Sequence, residues 1–480
     1  MIWNQTLESS NSKVRGGRYL LRSILVCVIL IMTNTNQTAA TKDSDALLKV
    51  SANHRFLIHA DGSPFFYLGD TAWELFHRLT IDESRLYLEN RRSKGFNVIQ
   101  AVVLSELDGL NVPNADGERP LVDNDPTKPN EAYFHHVDAV VDMAREKKMF
   151  IGLLPTWGDK VSKAWGLGPV IFNVSNAKQY GLFLGRRYRD RPNIIWILGG
   201  DRDASGFEAI WAAMAAGLRE GDLGRHLITY HPSGEHSSSQ WFQKDDWIDF
   251  NLMQSGHGHR NGPNFEMIEK DYHLAPVKPT IDGEPRYENH PVAWKPEELG
   301  WFDDFDVRQA AYWAVFAGAA GHTYGCNDIW QMKTADREPM SKARGEWHAD
   351  LDLPGAGQMQ YLRRLMESRP YLSRVPDQGL ILENPTDGPD HLQGTLGDGY
   401  AFVYFPQGKA AEIAIGRVSG EKLHAWWYDP RNGTSQSIGT MKKEKPQIFS
   451  PPGSPARGND WVLVLDDAAK RFGPPGHLLE

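Results

Sequence analysis

Two carboxylates stand out by position. Asp201 ends the run Trp196-Ile197-Leu198-Gly199-Gly200-Asp201, and Glu284 ends Ile281-Asp282-Gly283-Glu284. Each follows an apolar stretch through a glycine, which lets the backbone turn tightly. A pair of carboxyl groups facing one another suits glycoside cleavage. One must be protonated to donate to the leaving oxygen, and the other ionised to attack the anomeric carbon. A retaining pair lies roughly 5–5.5 Å apart, an inverting pair about 6.5–9.5 Å. At the closer spacing the charge on one group raises the pKa of the other, so one proton is naturally shared.

Further candidates follow other apolar runs. They are Asp70 and Trp73, Gln100, Trp157, Arg202, His231, Gln254, His257 and Trp330, with Glu106 and Asp203 as alternative acids. Sugars present hydroxyls at their edges and C–H groups on their faces. Carboxylates, amides and imidazoles suit the edges, and indoles suit the faces. A lone carboxylate at a strand end is more often a cap or ion-pair partner, and Asp70 fits that reading as well as a sugar contact. His257-Gly258-His259 has metal-ligand residue types, but no HExxH helix or third ligand accompanies it. There is no Gly-x-Ser-x-Gly elbow, no phosphate loop and no dinucleotide fingerprint. The reading therefore calls for neither metal nor cofactor.

These residues need a scaffold that brings eight strand ends to one mouth. Between about residues 50 and 370, short apolar runs alternate with amphipathic stretches, the pattern of repeated βα units. Strands are predicted at Phe65–Leu68, Val98–Val103, Phe150–Leu154, Ile194–Leu198, Leu227–Tyr230, Phe250–Met253, Val277–Ile281 and His322–Tyr324. Eight parallel strands make a (β/α)8 TIM barrel, whose chemistry sits at the C-terminal ends of the strands. Thr80-Ile81-Asp82-Glu83 reads as a capping box opening a helix that stops at Gly95. Ser175 is a candidate cap for a helix to Arg187, and Ala310–Ala320 reads as a helix before the eighth strand. After Pro370 the pattern changes to short aromatic and β-branched runs with turns such as Asp429-Pro430-Arg431-Asn432-Gly433. A small C-terminal β-sandwich is expected over residues 374–470, after a barrel over 41–373, with a frayed tail at 471–480.

Composition agrees with an α/β globular chain: 480 residues, 41% hydrophobic and 24% charged, with a net charge of −9. The acidic balance argues against nucleic acid. Two cysteines, Cys27 and Cys326, exclude a disulfide scaffold. Lys13, Arg15, Arg18 and Arg22 surround the apolar run Ile24–Met32, and Thr38-Ala39-Ala40 follows. That is the form of an export signal over residues 1–40, too short to span a bilayer. The expected mature chain is periplasmic, cell-surface or extracellular, with no membrane association after cleavage.

Several runs resemble the apiosidase-like barrel family: Phe65-Phe66-Tyr67-Leu68-Gly69-Asp70-Thr71-Ala72-Trp73-Glu74-Leu75-Phe76, Gly95-Phe96-Asn97-Val98-Ile99-Gln100, Trp196-Ile197-Leu198-Gly199-Gly200-Asp201 and Asp282-Gly283-Glu284-Pro285. The positions of Asp201 and Glu284 are also similar to those of the acid/base and nucleophile in the large clan of retaining barrel glycosidases. Most of that clan has Asn-Glu after strand four, where this chain has Gly200-Asp201. The apiosidase-like resemblance implies an Asp acid/base and a Glu nucleophile at these two places. It also implies removal of a terminal sugar, with β-linked apiose on plant pectin as its suggestion. The segment with Trp427-Tyr428-Asp429-Pro430 and Gly433 resembles the small domain often appended to these barrels, which carries a collagen-binding label. Packing against the barrel is the preferred reading of its role. The competing reading of the whole chain is a non-catalytic carbohydrate- or protein-binding surface protein. A mere binder needs no carboxylate pair at those two strand ends. A peptidase has only the collagen label in its favour.

Overall fold

The computed structural model describes residues 47–383 and 388–477. The export signal expected over residues 1–40, and Cys27 within it, lie outside them. All eight barrel strands form: β1 Tyr67–Thr71, β2 Val98–Leu104, β3 Phe150–Thr156, β4 Ile194–Gly199, β5 Ile228–His231, β6 Asn251–Gln254, β7 Thr280–Asp282 and β8 Gly321–Tyr324. They run parallel in the order β5-β4-β3-β2-β1-β8-β7-β6. A two-residue strand, His236–Ser237, adds antiparallel to β6 and makes a ninth.

That extra strand explains why the barrel is only nearly closed. It occupies the β6 edge that would otherwise pair with β5. Ser238 donates its N–H to Leu252 O at 3.0 Å and accepts from Leu252 N at 3.1 Å through its hydroxyl. The seam is held at its foot by side chains. Asp249 accepts from Ile228 N at 2.7 Å, and the Thr229 hydroxyl donates to Phe250 O at 2.6 Å.

Alternation along the strands sorts two cores. In β4, Trp196 and Leu198 face the helices, while Ile195 and Ile197 face the barrel interior. The interior core is small and ends in Trp73, Trp157, Tyr287 and Trp330. Its opposite end is plugged by Leu48, Leu57 and Phe65 from a three-stranded antiparallel sheet. Phe65 belongs to that plug, so the first barrel strand starts later than the residue pattern predicts.

The outer helices are α1 Ile81–Ser93, α2 Glu131–Glu146, α3 Val174–Tyr188, α4 Glu208–Asp222, α5 Asn264–Tyr272, α6 Asp304–Phe316 and α7 Pro354–Glu367. The Thr80/Glu83 capping box is present. The cap of α3 is Asn173 rather than Ser175; its side chain accepts from Ser175 N and Asn176 N in a capping box of its own. Helix α6 begins well before Ala310, because Asp303 caps it. It stops before Ala320, because Gly318 takes a φ of +120°.

The C-terminal part comprises β9 Val375–Pro376, β10 Gln393–Gly397, β11 Tyr400–Phe405, β12 Ala411–Ile413, β13 Lys422–Tyr428, β14 Ser435–Lys442, β15 Gln447–Phe449 and β16 Trp461–Asp467. Six of them form an antiparallel sheet ordered β9-β10-β11-β16-β13-β14, and β12 pairs with β15. One face of the large sheet packs under the β12–β15 pair through Val403, Ala425, Leu463, Ile413 and Phe449. The other face joins the barrel's outer core through Phe402, Tyr404, Tyr428 and Val464. At the start of the tail Phe472 lies 4.9 Å from the Arg369 guanidinium, and Arg369 donates to Gly473 O at 3.0 Å.

Candidate active site

The turn after β4 places Asp201. Gly199, Gly200 and Asp201 have φ of +87°, +111° and +54°, three left-handed residues in succession. A Cβ at Gly200 would meet Gly158 N at 2.8 Å and Trp157 Cα at 3.0 Å, so only glycine lets the two loops touch. Asp201 is the one non-glycine held in this strained run, a cost commonly found at functional sites. The turn sends its carboxylate into the mouth of the barrel and its backbone N–H to His231 Nδ1, 3.2 Å away.

Accepting that N–H leaves the ring proton of neutral His231 on Nε2. Nε2 lies 2.9 Å from Glu284 Oε2. His257 Nε2 lies 3.2 Å from Glu284 Oε1. The two imidazoles thus address both oxygens of one carboxylate. His257 stacks on His290 at 4.3 Å between ring centres, and burial together with His257 keeps His290 well below its ordinary pKa.

The two carboxyl groups are driven in opposite directions. Burial, and then the charge of Glu284, push Asp201 up to about 6, against the opposing pull of Arg202, His231 and Trp165. Burial would also raise Glu284, but the two imidazoles set against its oxygens, His231 and His257, prevail and bring it down to about 2. One group is a proton donor and the other an anion over the same pH range, the separation an acid and a nucleophile require.

Both line a cavity of about 700 Å³ at the C-terminal mouth. Its floor and walls include Trp73, Trp157, Gln254, His257 and Trp330 from the predicted set. Trp157 Nε1 and Gln254 Oε1 are buried with no partner among the described residues, which leaves a donor and an acceptor for a polar ligand. His231 lies beneath the cavity, 5.4 Å from Trp73 and 5.8 Å from Trp157 between ring centres. Glu106 and Asp203 also line it. Burial, with the charges of Glu74, Asp201, Asp159 and Glu284, pushes Glu106 well above the ordinary carboxyl range.

Four of the predicted ligand residues do not line the cavity: His231, beneath it, and Asp70, Gln100 and Arg202. Asp70 does not face the cavity. It lies within β1 rather than after it, and alternation turns it outward to α1. There it accepts from Tyr87 Oη and Arg91 Nε, each at 2.5 Å, in a fully buried ion pair. Gln100 sits inside the barrel below the cavity and donates to Gly283 O at 3.1 Å and Thr323 Oγ1 at 2.7 Å. It steadies the turn that carries Glu284. Arg202 is buried behind Asp201, donating to Asp201 O at 2.6 Å and Ser162 O at 3.2 Å. His257 and His259 do not converge as metal ligands, for His259 is exposed beside Glu235.

Sequence reasoning missed Trp165 and Trp294, which line the rim. Both stand in long loops after barrel strands, Lys163-Ala164-Trp165-Gly166 after β3 and Pro291-Val292-Ala293-Trp294 after β7. A tryptophan in a loop after a barrel strand was the available signal.

The family model described as "Apiosidase-like, catalytic domain" matches residues 51–373. That described as "Putative collagen-binding domain of a collagenase" matches residues 375–466. A solved structure called a glycoside hydrolase is 36% identical, with a TM-score of 0.84 over 90% of this chain and 99% of its own. A glycoside hydrolase family 5 structure from Bacteroides vulgatus is 34% identical, with a TM-score of 0.84 over 90% of this chain and 95% of its own. A third structure, from the same organism, shares the fold at 16% identity and a TM-score of 0.64, over 88% of this chain and 83% of its own. No match is found among curated proteins. The family match spans the whole barrel, and the likeness to two solved glycoside hydrolases spans nine tenths of the chain. The chain therefore belongs to the apiosidase-like family and is a glycoside hydrolase.

Proposed function

We propose that the enzyme removes a terminal sugar with retention of configuration, Asp201 serving as acid/base and Glu284 as nucleophile. What carries this reading is the placing of two carboxyl groups in one cavity, Glu284 with an imidazole against each oxygen and Asp201 buried beside its charge. In the first step Glu284 attacks the anomeric carbon. The bond to the leaving oxygen breaks, and that oxygen takes the proton of Asp201. In the second step Asp201 removes a proton from water, which displaces Glu284 and regenerates the acid. His231 and His257 keep Glu284 anionic, and the indoles of Trp73, Trp157 and Trp330 offer apolar faces to the sugar ring. The family points to β-linked apiose on plant cell-wall pectin as the sugar removed. The basic and apolar run before Ala40 supports export of the mature chain, which should then begin near Thr41.

The test uses the mature chain with aryl β-glycosides, the apioside among them, and pectic oligosaccharides. NMR of the first-formed anomer should show retention. Glu284→Ala should lose activity on every substrate. Asp201→Ala should lose about 10²–10⁴-fold on glycans. It should still be glycosylated by an activated aryl glycoside and be rescued by azide, which needs no general base. An inverted first product would overturn the mechanism, and near-normal Asp201→Ala turnover on a glycan would move the acid to Glu106 or Asp203.

A further inference from the structure

Trp165 is 68% exposed, unusual for so large an apolar side chain. It is nonetheless held in place. Its loop is anchored by Asp159, which accepts from Gly168 N at 2.8 Å and pairs with the buried Lys160 at 2.8 Å. Gly166 lies so close to Asp159 that an added Cβ would come within 2.3 Å of the Asp159 Cβ. One face of the indole rests on Arg202, whose guanidinium carbon is 4.2 Å from the ring centre. Arg202 is itself tied to Ser162 O, at 3.2 Å, and Asp201 O, at 2.6 Å. The indole N–H donates to Asp201 Oδ2 at 3.1 Å, and Arg202 Nη1 stands 3.4 Å from the same oxygen.

Two donors on Oδ2 leave Oδ1 as the oxygen that carries the acid's proton. On the reading of Asp201 as acid/base, on which this inference rests, Oδ1–H points at the glycosidic oxygen. The sugar on the far side of that oxygen must then lie beside Asp201. Trp165 is the aromatic surface there, with its second face free. Trp73, Trp157 and Trp330 are buried in the floor and belong to the sugar whose anomeric carbon faces Glu284. We propose that Trp165 is the platform on which the leaving-group sugar stacks, and that its indole N–H positions Asp201 so that only Oδ1 carries the transferred proton. Specificity for the leaving group is thereby linked to the acid that releases it.

The experiment compares Trp165→Phe and Trp165→Ala in the mature enzyme. The substrates are a pectic oligosaccharide bearing terminal β-apiose and β-apiosyl fluoride. Fluoride leaves without protonation and offers nothing to stack. Trp165→Ala should lose roughly tenfold or more in kcat/KM on the oligosaccharide, as expected for one lost ring contact, and far less on the fluoride. Trp165→Phe keeps a ring but not the N–H. It should retain most of the oligosaccharide's apparent affinity, and its basic limb in the pH–rate profile should move to higher pH, because the lost hydrogen bond favours the ionised form of Asp201. Equal losses on both substrates, with the basic limb unmoved in Trp165→Phe, would overturn the assignment while leaving the acid and nucleophile intact. Near-normal turnover of the oligosaccharide by Asp201→Ala would instead overturn the reading of Asp201 as the acid, and this inference with it.

Discussion

Glu284 is surrounded by hydrogen-bond donors, and Asp201 by burial and a neighbouring negative charge. The pH profile should report that difference. The active form has Glu284 ionised and Asp201 protonated, so kcat/KM should fall as pH rises through about 6, the value to which Asp201 is pushed. The acidic limb should lie far lower, near the value of about 2 to which His231 and His257 hold Glu284. His257→Phe removes one donor from Glu284 Oε1. Its nucleophile is then harder to ionise, and the acidic limb should move to higher pH while the basic limb stays near its place. Initial rates across pH on an aryl glycoside check both limbs. A His257→Phe enzyme with an unmoved acidic limb would show that this contact does not hold the carboxylate's charge.

At the scale of elements, the turn after β4 decides whether the pair can form. Gly200 combines a φ of +111° with backbone contact to the turn after β3. Gly200→Ala brings both a backbone strain of about 1–3 kcal/mol and a methyl group against Trp157 and Gly158. Relief requires the turn to move, and Asp201 rides on it. The expected result is lower stability in denaturant unfolding and a fall of about tenfold or more in kcat, with a smaller change in KM. Loss of stability with unchanged kcat would mean that the turn relaxes without carrying Asp201 along.

For the molecule as a whole, the C-terminal sheet is joined to the barrel by more than apolar contact. Arg308 of α6 makes a bidentate, fully buried pair with Asp460 at 2.8 and 2.7 Å, and Arg369 makes another with Asp466 at 2.8 and 2.7 Å. Tyr312 stacks on Tyr404 at 5.0 Å, and Phe316 on Phe402 at 5.8 Å. Asp460→Ala leaves Arg308 Nε and Nη2 without their carboxylate, with Asp304 and Gln358 still on Nη1, and should destabilise the chain by about 3 kcal/mol, the low end for a broken buried pair, read by denaturant unfolding. Ending the chain at Ser373 uncovers the same face of α6 and should yield an insoluble or unfolded barrel. A soluble, cooperatively folding and fully active truncated barrel would show instead that the C-terminal sheet is an independent appendage.

The eight strands, their order with the helices, the change to a β domain after Pro370 and the two carboxylates after β4 and β7 are all legible along the chain. These are local properties: apolar periodicity, caps, and glycines beside acidic residues. Tertiary structure decided the rest, because it depends on which way a side chain points and what meets it. Asp70 and Asp201 both follow a glycine at a strand's end region. One turns outward to Arg91 and the other into the cavity, because Asp70 still obeys the alternation of β1 whereas Asp201 lies in a left-handed turn beyond β4. Gln100 and Arg202 have the chemistry of sugar ligands, yet both are satisfied behind the site. The division of protonation between Asp201 and Glu284 rests on two imidazoles brought from β5 and the loop after β6. No spacing in the chain encodes that convergence; it exists only once the barrel closes and its strand ends share one mouth.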